Sequence, residues 1–279
     1  MVSKTPNLQA WTGREVEVND QLRAQPSHFM QATLDMEPSL SVGDTLPPLW
    51  HWLYFLEAKQ ASELGRDAHP KKGGFLPPVP LPRRMWAGGR ITFHAPLIIG
   101  ADAIRRSTIK TIVEKNGRTG DLCFVTVEHT IFQGEQLVLN EEQDIVFRED
   151  PKPGTPAPEL TPAPDNPEFS QTVTPTQVML FRYSALTFNG HRIHYDVDYA
   201  RDVEGYNGLV FHGPLTATLL LGLASANMDR HPKRFEFRAR SPISGMQPFR
   251  ISGRSNGDTT TLWATSHDNA LAMTASADF

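Results

Sequence analysis

The order of strands and turns in the first half of the chain is repeated in the second half. In the first half an aromatic strand leads into a loop with Pro96, and a second strand ends in an Asn-Gly turn at residues 116–117 before a further strand. In the second half the loop carries Pro242, and the Asn-Gly turn falls at residues 256–257. Asn-Gly between alternating strands is typical of a β-hairpin. The repeat predicts two antiparallel sheets of similar topology.

A proline-rich segment, PKPGTPAPELTPAPDNP, separates the two halves at residues 151–167. Proline lacks the backbone N–H that a helix or a central strand requires, so this segment is predicted to be a linker on the surface. We therefore expect an N-terminal domain at residues 1–150 and a C-terminal domain at residues 168–279.

Each half also contains a segment that is expected to form a long helix ahead of its strands. Residues 213–228, GPLTATLLLGLASANM, begin with a Gly-Pro step that suits a helix start, and their leucines cover more than one face. Residues 46–65, LPPLWHWLYFLEAKQASELG, have paired prolines at their start and a glycine at their end. These segments predict an α+β fold in which each antiparallel sheet wraps around one buried helix.

Composition excludes several classes of protein. The net charge of −4 argues against a dedicated nucleic-acid binder, which usually carries a basic surplus. Cys123 is the single cysteine, so an intramolecular disulfide is impossible. The first residues do not resemble a secretory signal or a transit peptide, and no run of about 18 apolar residues could cross a membrane. We expect a cytoplasmic protein with neither a nucleic-acid nor a membrane partner.

The stretch TFNGHRIHYD, residues 187–196, holds the densest group of chemically active side chains. One interpretation is a polar loop that turns at the Asn-Gly step. A second is a metal site, although cysteine ligands and a His-Glu-x-x-His helix pattern are missing. Its ligands would be His191 and His194, completed by Asp196, Asp198 or His212. A third interpretation is acid–base catalysis.

The third interpretation fits the addition of water to an enoyl thioester. His194 is the natural acid–base group because its ordinary pKa lies near neutrality. Asn189 can orient a water through its amide but cannot take a proton. The N–H groups of Gly213 and Leu215, at the start of the apolar helix, can stabilise charge on the thioester oxygen. The Gly-Pro step alone would also be explained by helix capping.

Residues 181–221, FRYSALTFNGHRIHYDVDYARDVEGYNGLVFHGPLTATLLL, resemble the MaoC-like hydratases and dehydratases of the hot-dog fold. The chain is similar to the branch with type 2 hydroxyacyl-thioester dehydratases and itaconyl-CoA/mesaconyl-C4-CoA hydratases. LPPLWHWLYFL, GGFLPPVPLPRRMWAGGRITF and QDIVFRED extend this resemblance over nearly the whole chain. It implies a double hot-dog fold. It also implies a hydro-lyase that needs no cofactor, coenzyme A being part of the substrate.

The family's hydratase motif, Gly-Asp-x-Asn-Pro-x-His, is only partly present. With its histidine aligned on His194, the aspartate position holds Asn189, and the next two motif positions hold His191 and Arg192. The resemblance therefore carries over His194 as the acid–base residue and Gly213 as the oxyanion donor, whereas the general base stays open. Either His194 acts alone or a carboxylate such as Asp196 assists.

The N-terminal half shows no second copy of this motif and is expected to be a degenerate hot-dog domain that shapes the acyl pocket. His51, within LPPLWHWLYFL, is interpreted as a packed core residue. Arginine and aromatic side chains suit the phosphates and adenine of coenzyme A. The candidates for that role are Arg83, Arg84, Trp86, Arg238 and Arg240, and those for a second substrate carboxylate are Arg182 and Arg192.

The specific hypothesis is reversible hydration of itaconyl-CoA or mesaconyl-C4-CoA to citramalyl-CoA. One alternative is a 3-hydroxyacyl-thioester dehydratase of fatty-acid synthesis acting on a carrier protein. Another is a non-catalytic module that binds acyl thioesters, and a thioesterase is a further activity known on this fold. Hot-dog proteins often associate through sheet edges, so a homodimer is expected.

Overall fold

The chain folds around one antiparallel sheet of ten strands. The computed structural model describes residues 7–117, 120–150 and 160–279; residues 151–159 of the predicted linker and residues 118–119 lie outside them. The strands of the first half are β1 (Glu15–Gln21), β2 (Arg83–Phe93), β3 (Asp102–Gly117), β4 (Gly120–Gln133) and β5 (Gln136–Arg148). Those of the second half are β6 (Phe169–Val173), β7 (Arg234–Ala239), β8 (Phe249–Asn256), β9 (Thr259–Thr265) and β10 (Leu271–Asp278). The first predicted turn, Asn116-Gly117, belongs instead to the end of β3, where Gly117 pairs with Gly120.

The two halves have the same strand order, as the sequence repeat predicts. The order is β1-β3-β4-β5-β2 in the first half and β6-β8-β9-β10-β7 in the second. The halves do not form two separate sheets, because β2 pairs antiparallel with β7 and makes the sheet continuous. Gly88 pairs with Arg238 at this junction, and a Cβ at Gly88 would lie 2.5 Å from the Phe237 carbonyl oxygen. Glycine therefore permits the close approach of the two halves.

The helices are α1 (Ala24–Thr33), α2 (Gln177–Leu186) and α3 (Gly213–Met228). Helix α3 is the predicted buried helix of the second half, with Leu215, Leu220 and Leu221 fully buried. It packs against β8, β9 and β10, and its apolar residues join a core to which both halves contribute. Among the described residues, no helix is long and apolar enough to span a membrane.

The long helix predicted at residues 46–65 is absent, and this part of the prediction is wrong. The segment forms two short 3-10 turns instead, at Trp50–Leu53 and Ala61–Glu63. Leu49 has φ 70° and Phe55 has φ 57°, and a right-handed helix cannot run through residues in that region. Within the described residues, therefore, the C-terminal half of the sheet packs on a long helix and the N-terminal half does not.

The first 3-10 turn is tied to the sheet by a buried carboxylate. Glu141 of β5 accepts hydrogen bonds from His51 Nε2 and Trp52 Nε1, both at 3.0 Å. His51 is buried, in agreement with its interpretation as a core residue. This long-range contact favours the irregular segment over a helix.

Candidate active site

The loop at residues 187–196 follows α2 directly. Phe188 has φ 47° and turns the chain, after which the Asn189 N–H donates to the Ser184 carbonyl oxygen at 2.8 Å. The side-chain oxygen of Asn189 accepts the His191 N–H at 3.0 Å. Asn189 thus stabilises the turn through its oxygen, and its NH2 group is the part of the amide left to orient a water.

His194 is held in one tautomer by the segment that precedes α3. Its Nδ1–H donates to the Val210 carbonyl oxygen at 2.8 Å, while the Val210 N–H donates to the Ile193 carbonyl oxygen at 2.9 Å. The side chain is buried, and burial lowers the pKa of His194 to about 3. The ring is therefore neutral at neutral pH, and its Nε2 carries a lone pair that can accept a proton.

The start of α3 lies beside this imidazole. His212, the cap residue of α3, stacks on His194 with ring centroids 3.7 Å apart, and its Nε2 is 2.9 Å from the Ser184 hydroxyl. Thr216 is the first residue of the helix whose N–H bonds to the cap, at 3.0 Å from the His212 carbonyl oxygen. The N–H groups of Gly213 and Leu215 come earlier in the helix, where N–H groups have no carbonyl acceptor within the helix itself. The imidazole predicted to act in acid–base catalysis and a helix N-terminus therefore adjoin each other.

A loop of the N-terminal half covers the other side of the histidine cluster. The Arg192 N–H donates to the Asp67 carbonyl oxygen at 3.2 Å, which ties residues 65–70 to the acid–base loop. The His69 ring lies 4.6 Å from the His191 ring, and the His191 ring lies 5.5 Å from the His194 ring, between centroids. Four imidazoles, counting His212, therefore form a continuous array across the two halves.

The sequence interpretation overlooked Asp67 and His69 as site residues. They stand in the short stretch DAHP, far along the chain from TFNGHRIHYD, and only the fold brings the two stretches together. The sole local signal was the pairing of an aspartate and a histidine between a glycine and a proline. His212 was considered as a metal ligand, but its place against His194 was not foreseen.

The potential metal ligands that converge are not the set considered from the sequence. Within the described residues, one group of at least three such side chains brings its ligand atoms within 4.8 Å of one another, namely Asp67, His69 and His191. Asp196 pairs instead with Arg192, with Nη2 2.7 Å from Oδ2. His194 uses Nδ1 for the Val210 carbonyl.

Arg83 and Arg84 begin β2 but have different surroundings. Arg83 is buried, with Nε 2.6 Å from a Glu204 carboxylate oxygen. Arg84 donates to both carboxylate oxygens of Asp67, at 3.0 and 3.3 Å, and therefore lies next to the histidine array. Arg84 therefore lies at the site, whereas Arg83 forms a buried ion pair with Glu204.

The other predicted binding residues lie elsewhere on the molecule. Trp86 packs edge-on against Trp52 and Phe237, with centroids 4.9 and 5.7 Å apart. Arg238 is exposed on β7, and so is Arg240 just beyond it. On α2, Arg182 is exposed and donates to a backbone carbonyl of α1 at 3.3 Å. The fold does not gather these residues into one cluster with the histidines.

Comparison with known proteins agrees with this architecture. The family model described as "Hydroxyacyl-thioester dehydratase type 2" matches residues 49–245. A mesaconyl-C(4)-CoA hydratase of Chloroflexus aurantiacus is 48% identical over 273 residues, which is 96% of each chain. A solved MaoC-like dehydratase superposes with a TM-score of 0.70 at 16% identity, covering 98% of this chain and 99% of the other. A Mycobacterium tuberculosis protein with a double hot-dog fold superposes with a TM-score of 0.58 at 15% identity, covering 96% of each chain.

These similarities confirm the predicted double hot-dog fold. The chain belongs to the type 2 hydroxyacyl-thioester dehydratase family. Its class is therefore that of hydro-lyases acting on thioesters, as the resemblance of residues 181–221 implied.

Proposed function

We propose that this enzyme catalyses the reversible hydration of mesaconyl-C4-CoA, or of the related itaconyl-CoA, to citramalyl-CoA. The observation that carries the proposal is the contact between the acid–base imidazole and the oxyanion-stabilising helix start. His194 bonds to Val210 at 2.8 Å and stacks at 3.7 Å on the residue that caps α3. The choice of substrate is supported by the 48% identical hydratase of C. aurantiacus.

In the proposed reaction His194 moves one proton. Its Nε2 takes a proton from a water whose oxygen forms a bond to Cβ, and the electrons of the Cα=Cβ bond move towards the thioester oxygen. The N–H groups of Gly213 and Leu215 stabilise the enolate charge. The imidazolium then returns its proton to Cα, which restores the neutral ring and completes the addition. Asn189 helps to orient the water through its NH2 group.

A basic cleft beside the site is the proposed place for the phosphates of coenzyme A. It has a volume of about 440 Å³, and its lining includes Lys71 and Lys72 together with Arg66, which is paired with Asp150, and the Asp67–Arg84 pair. Lys71 Nζ donates to the Ser62 carbonyl at 2.8 Å and Lys72 Nζ to the Leu81 carbonyl at 2.5 Å. Because those partners are uncharged, both lysines keep their full charge for an anion.

Further groups are proposed to bind the rest of the substrate. Trp86 and Arg238, on the paired strands β2 and β7, remain candidates for the adenine and phosphates. For the second carboxylate Arg182 and Arg192 remain the candidates: Arg182 bonds to a neutral carbonyl but lies apart from the histidines, and Arg192 belongs to the acid–base loop but is paired with Asp196. Arg83 is a weaker candidate because Glu204 balances its charge.

The test is a panel of enoyl and hydroxyacyl thioesters, from short dicarboxylic to long saturated chains, followed through the enoyl absorbance. We expect mesaconyl-C4-CoA or itaconyl-CoA to give the highest kcat/KM. His194→Gln should lower kcat by about 100-fold or more, since acid–base groups contribute roughly 10²–10⁴-fold. The exposed His231→Gln serves as the matched control and should keep full activity. Tight binding without turnover, unchanged by His194→Gln, would point to a binding module.

A dehydratase acting on a carrier protein is the second candidate, and the family description favours it. Carrier proteins are acidic, so a KM that rises steeply with ionic strength would support this alternative. A KM for the CoA thioester lower than that for the carrier-bound substrate would support the CoA enzyme.

Three further features are proposed for the whole protein. The boundaries at residues 1–150 and 168–279, with the linker between them, are retained as the two hot-dog units. The proposed compartment is the cytoplasm, in keeping with one buried free cysteine, Cys123. We propose a homodimer, which light scattering of the purified protein would test.

A further inference from the structure

The acid–base loop contains no carboxylate at the position where its motif would have one. Asn189 stands there, and its oxygen is already the acceptor of the His191 N–H at 3.0 Å. Asp196 follows the motif histidine, but Oδ2 pairs with Arg192 at 2.7 Å and Oδ1 accepts the Tyr199 N–H at 3.0 Å. The carboxylate that lies among the histidines comes from another part of the chain.

The N-terminal half brings one to the histidine array. A Cβ at Gly190 would lie 3.0 Å from the Ala68 carbonyl oxygen, so the lack of a side chain at 190 lets the two loops approach closely. As a result, a carboxylate oxygen of Asp67 and one ring nitrogen each of His69 and His191 lie within 4.8 Å of one another. A point between three such atoms can lie within about 2.8 Å of all three, which is the length of a hydrogen bond to a water oxygen.

The charge of Arg84 disfavours a cation between these atoms. Arg84 donates to both oxygens of Asp67, so a guanidinium already neutralises the carboxylate and would repel a cation. The His69 N–H also donates to Oδ1 at 3.1 Å, and Oδ2 keeps a second lone pair that can accept an O–H of a water. Burial, followed by the charge of Arg84, lowers the pKa of His69 to about 4. Burial, followed by His69, lowers the pKa of His191 to about 3. Each neutral imidazole has one donor and one acceptor nitrogen, as a bound water requires.

We propose that Asp67, His69 and His191 bind the water that is added to the substrate. The inference rests on the proposed hydration and extends it, because two of the three groups come from the half without the hydratase motif. Asp67 accepts one O–H of the water, and the other O–H gives its proton to His194 Nε2 as the water oxygen bonds to Cβ. Asp67 and His69 are therefore positioning residues for the water, whereas His194 transfers the proton.

The experiment compares polar and apolar replacements of His69 with the full-length enzyme and mesaconyl-C4-CoA. His69→Leu should lower kcat by about 100-fold through loss of water alignment, with KM for the thioester within about threefold. His69→Gln, which keeps a donor and an acceptor, should recover at least a tenth of the wild-type kcat. His94→Leu, at an exposed histidine of the same half, is the matched control and should change neither constant.

Asp67→Asn provides an independent measurement with the same expected loss of kcat. Asp67 is buried and paired with Arg84, so the melting temperature is measured beside the kinetics to separate misfolding from loss of alignment. If His69→Leu keeps kcat within threefold, or if Leu and Gln give equal losses, the water site is wrong. If EDTA abolished wild-type activity and Zn²⁺ restored it, the site would bind a metal ion and the water proposal would be wrong. A wild-type enzyme inactive on every thioester would refute the hydration itself, and the water site with it.

Discussion

Replacing Gly213 by alanine separates the folding role of the α3 start from its catalytic role. A Cβ added at Gly213 would meet no atom within 4 Å in the described part of the chain. Alanine favours a helix more than glycine by up to about 1 kcal/mol, but its Cβ directly before Pro214 disfavours the helical conformation, so the two effects oppose each other and the free energy of unfolding should change by no more than about 1 kcal/mol. The methyl group would instead occupy the space through which a thioester oxygen reaches the N–H. Loss of an oxyanion-hole contact costs roughly 10²–10³ in rate, so kcat/KM should fall about 100-fold.

Gly222→Ala is the matched control for this variant. Gly222 lies in the same helix, is exposed, and would likewise place its Cβ in open space within the described residues. It should raise the free energy of unfolding by about 1 kcal/mol and leave hydration of the thioester unchanged. Unfolding in urea and the enoyl absorbance assay measure the two effects on the same samples. Full activity of Gly213→Ala would falsify the role of this helix start as the oxyanion site.

Two further predictions concern the buried Glu141 carboxylate and the basic cleft. Burial alone raises the pKa of the Glu141 carboxyl, but the hydrogen bond and charge of His51 outweigh it and lower the pKa from 4.5 to about 2. The ionised Glu141 therefore stabilises the fold fully above pH 4.5 and less as the pH falls towards 2. Urea unfolding should show that Glu141→Gln lowers the free energy of unfolding by about 3 kcal/mol at pH 7 and by progressively less in acid. The double variant Lys71→Glu and Lys72→Glu should raise KM for the CoA thioester about tenfold or more. It should leave KM unchanged for the N-acetylcysteamine thioester, because that substrate lacks the phosphates. An equal rise for both substrates would contradict the cleft as the phosphate site, and Lys115→Glu is the exposed control.

Much of the fold could be predicted because its signals are local. Alternating side chains predicted the strands of both halves, the Asn-Gly step at residues 256–257 falls where β8 turns into β9, and the step at residues 116–117 lies at the end of β3. The Gly-Pro step with the leucines after it predicted α3. The segment at residues 46–65 shows where local signals failed. Its prolines and its glycine are compatible with a helix, but the buried Glu141, about 90 residues away, binds His51 and Trp52 and holds the segment in an irregular conformation.

The candidate site divides in the same way. His194 and Gly213 could be related from the sequence because about twenty residues separate them, and the contacts through Val210 place them side by side. Asp67 and His69 could not, because nothing local to DAHP indicates which surface it will meet. Their position follows from the packing of the first half against the second.

The sequence by itself determined the two sheet halves and the buried helix, since periodicity and turn residues act over short stretches of chain. Its resemblance to known proteins indicated the family and the candidate acid–base histidine. The tertiary structure alone decided that β2 and β7 join the halves into one sheet and that the motif-free half brings Asp67 and His69 to the histidines. Such contacts depend on which surfaces are buried together, and burial is a property of the whole folded chain.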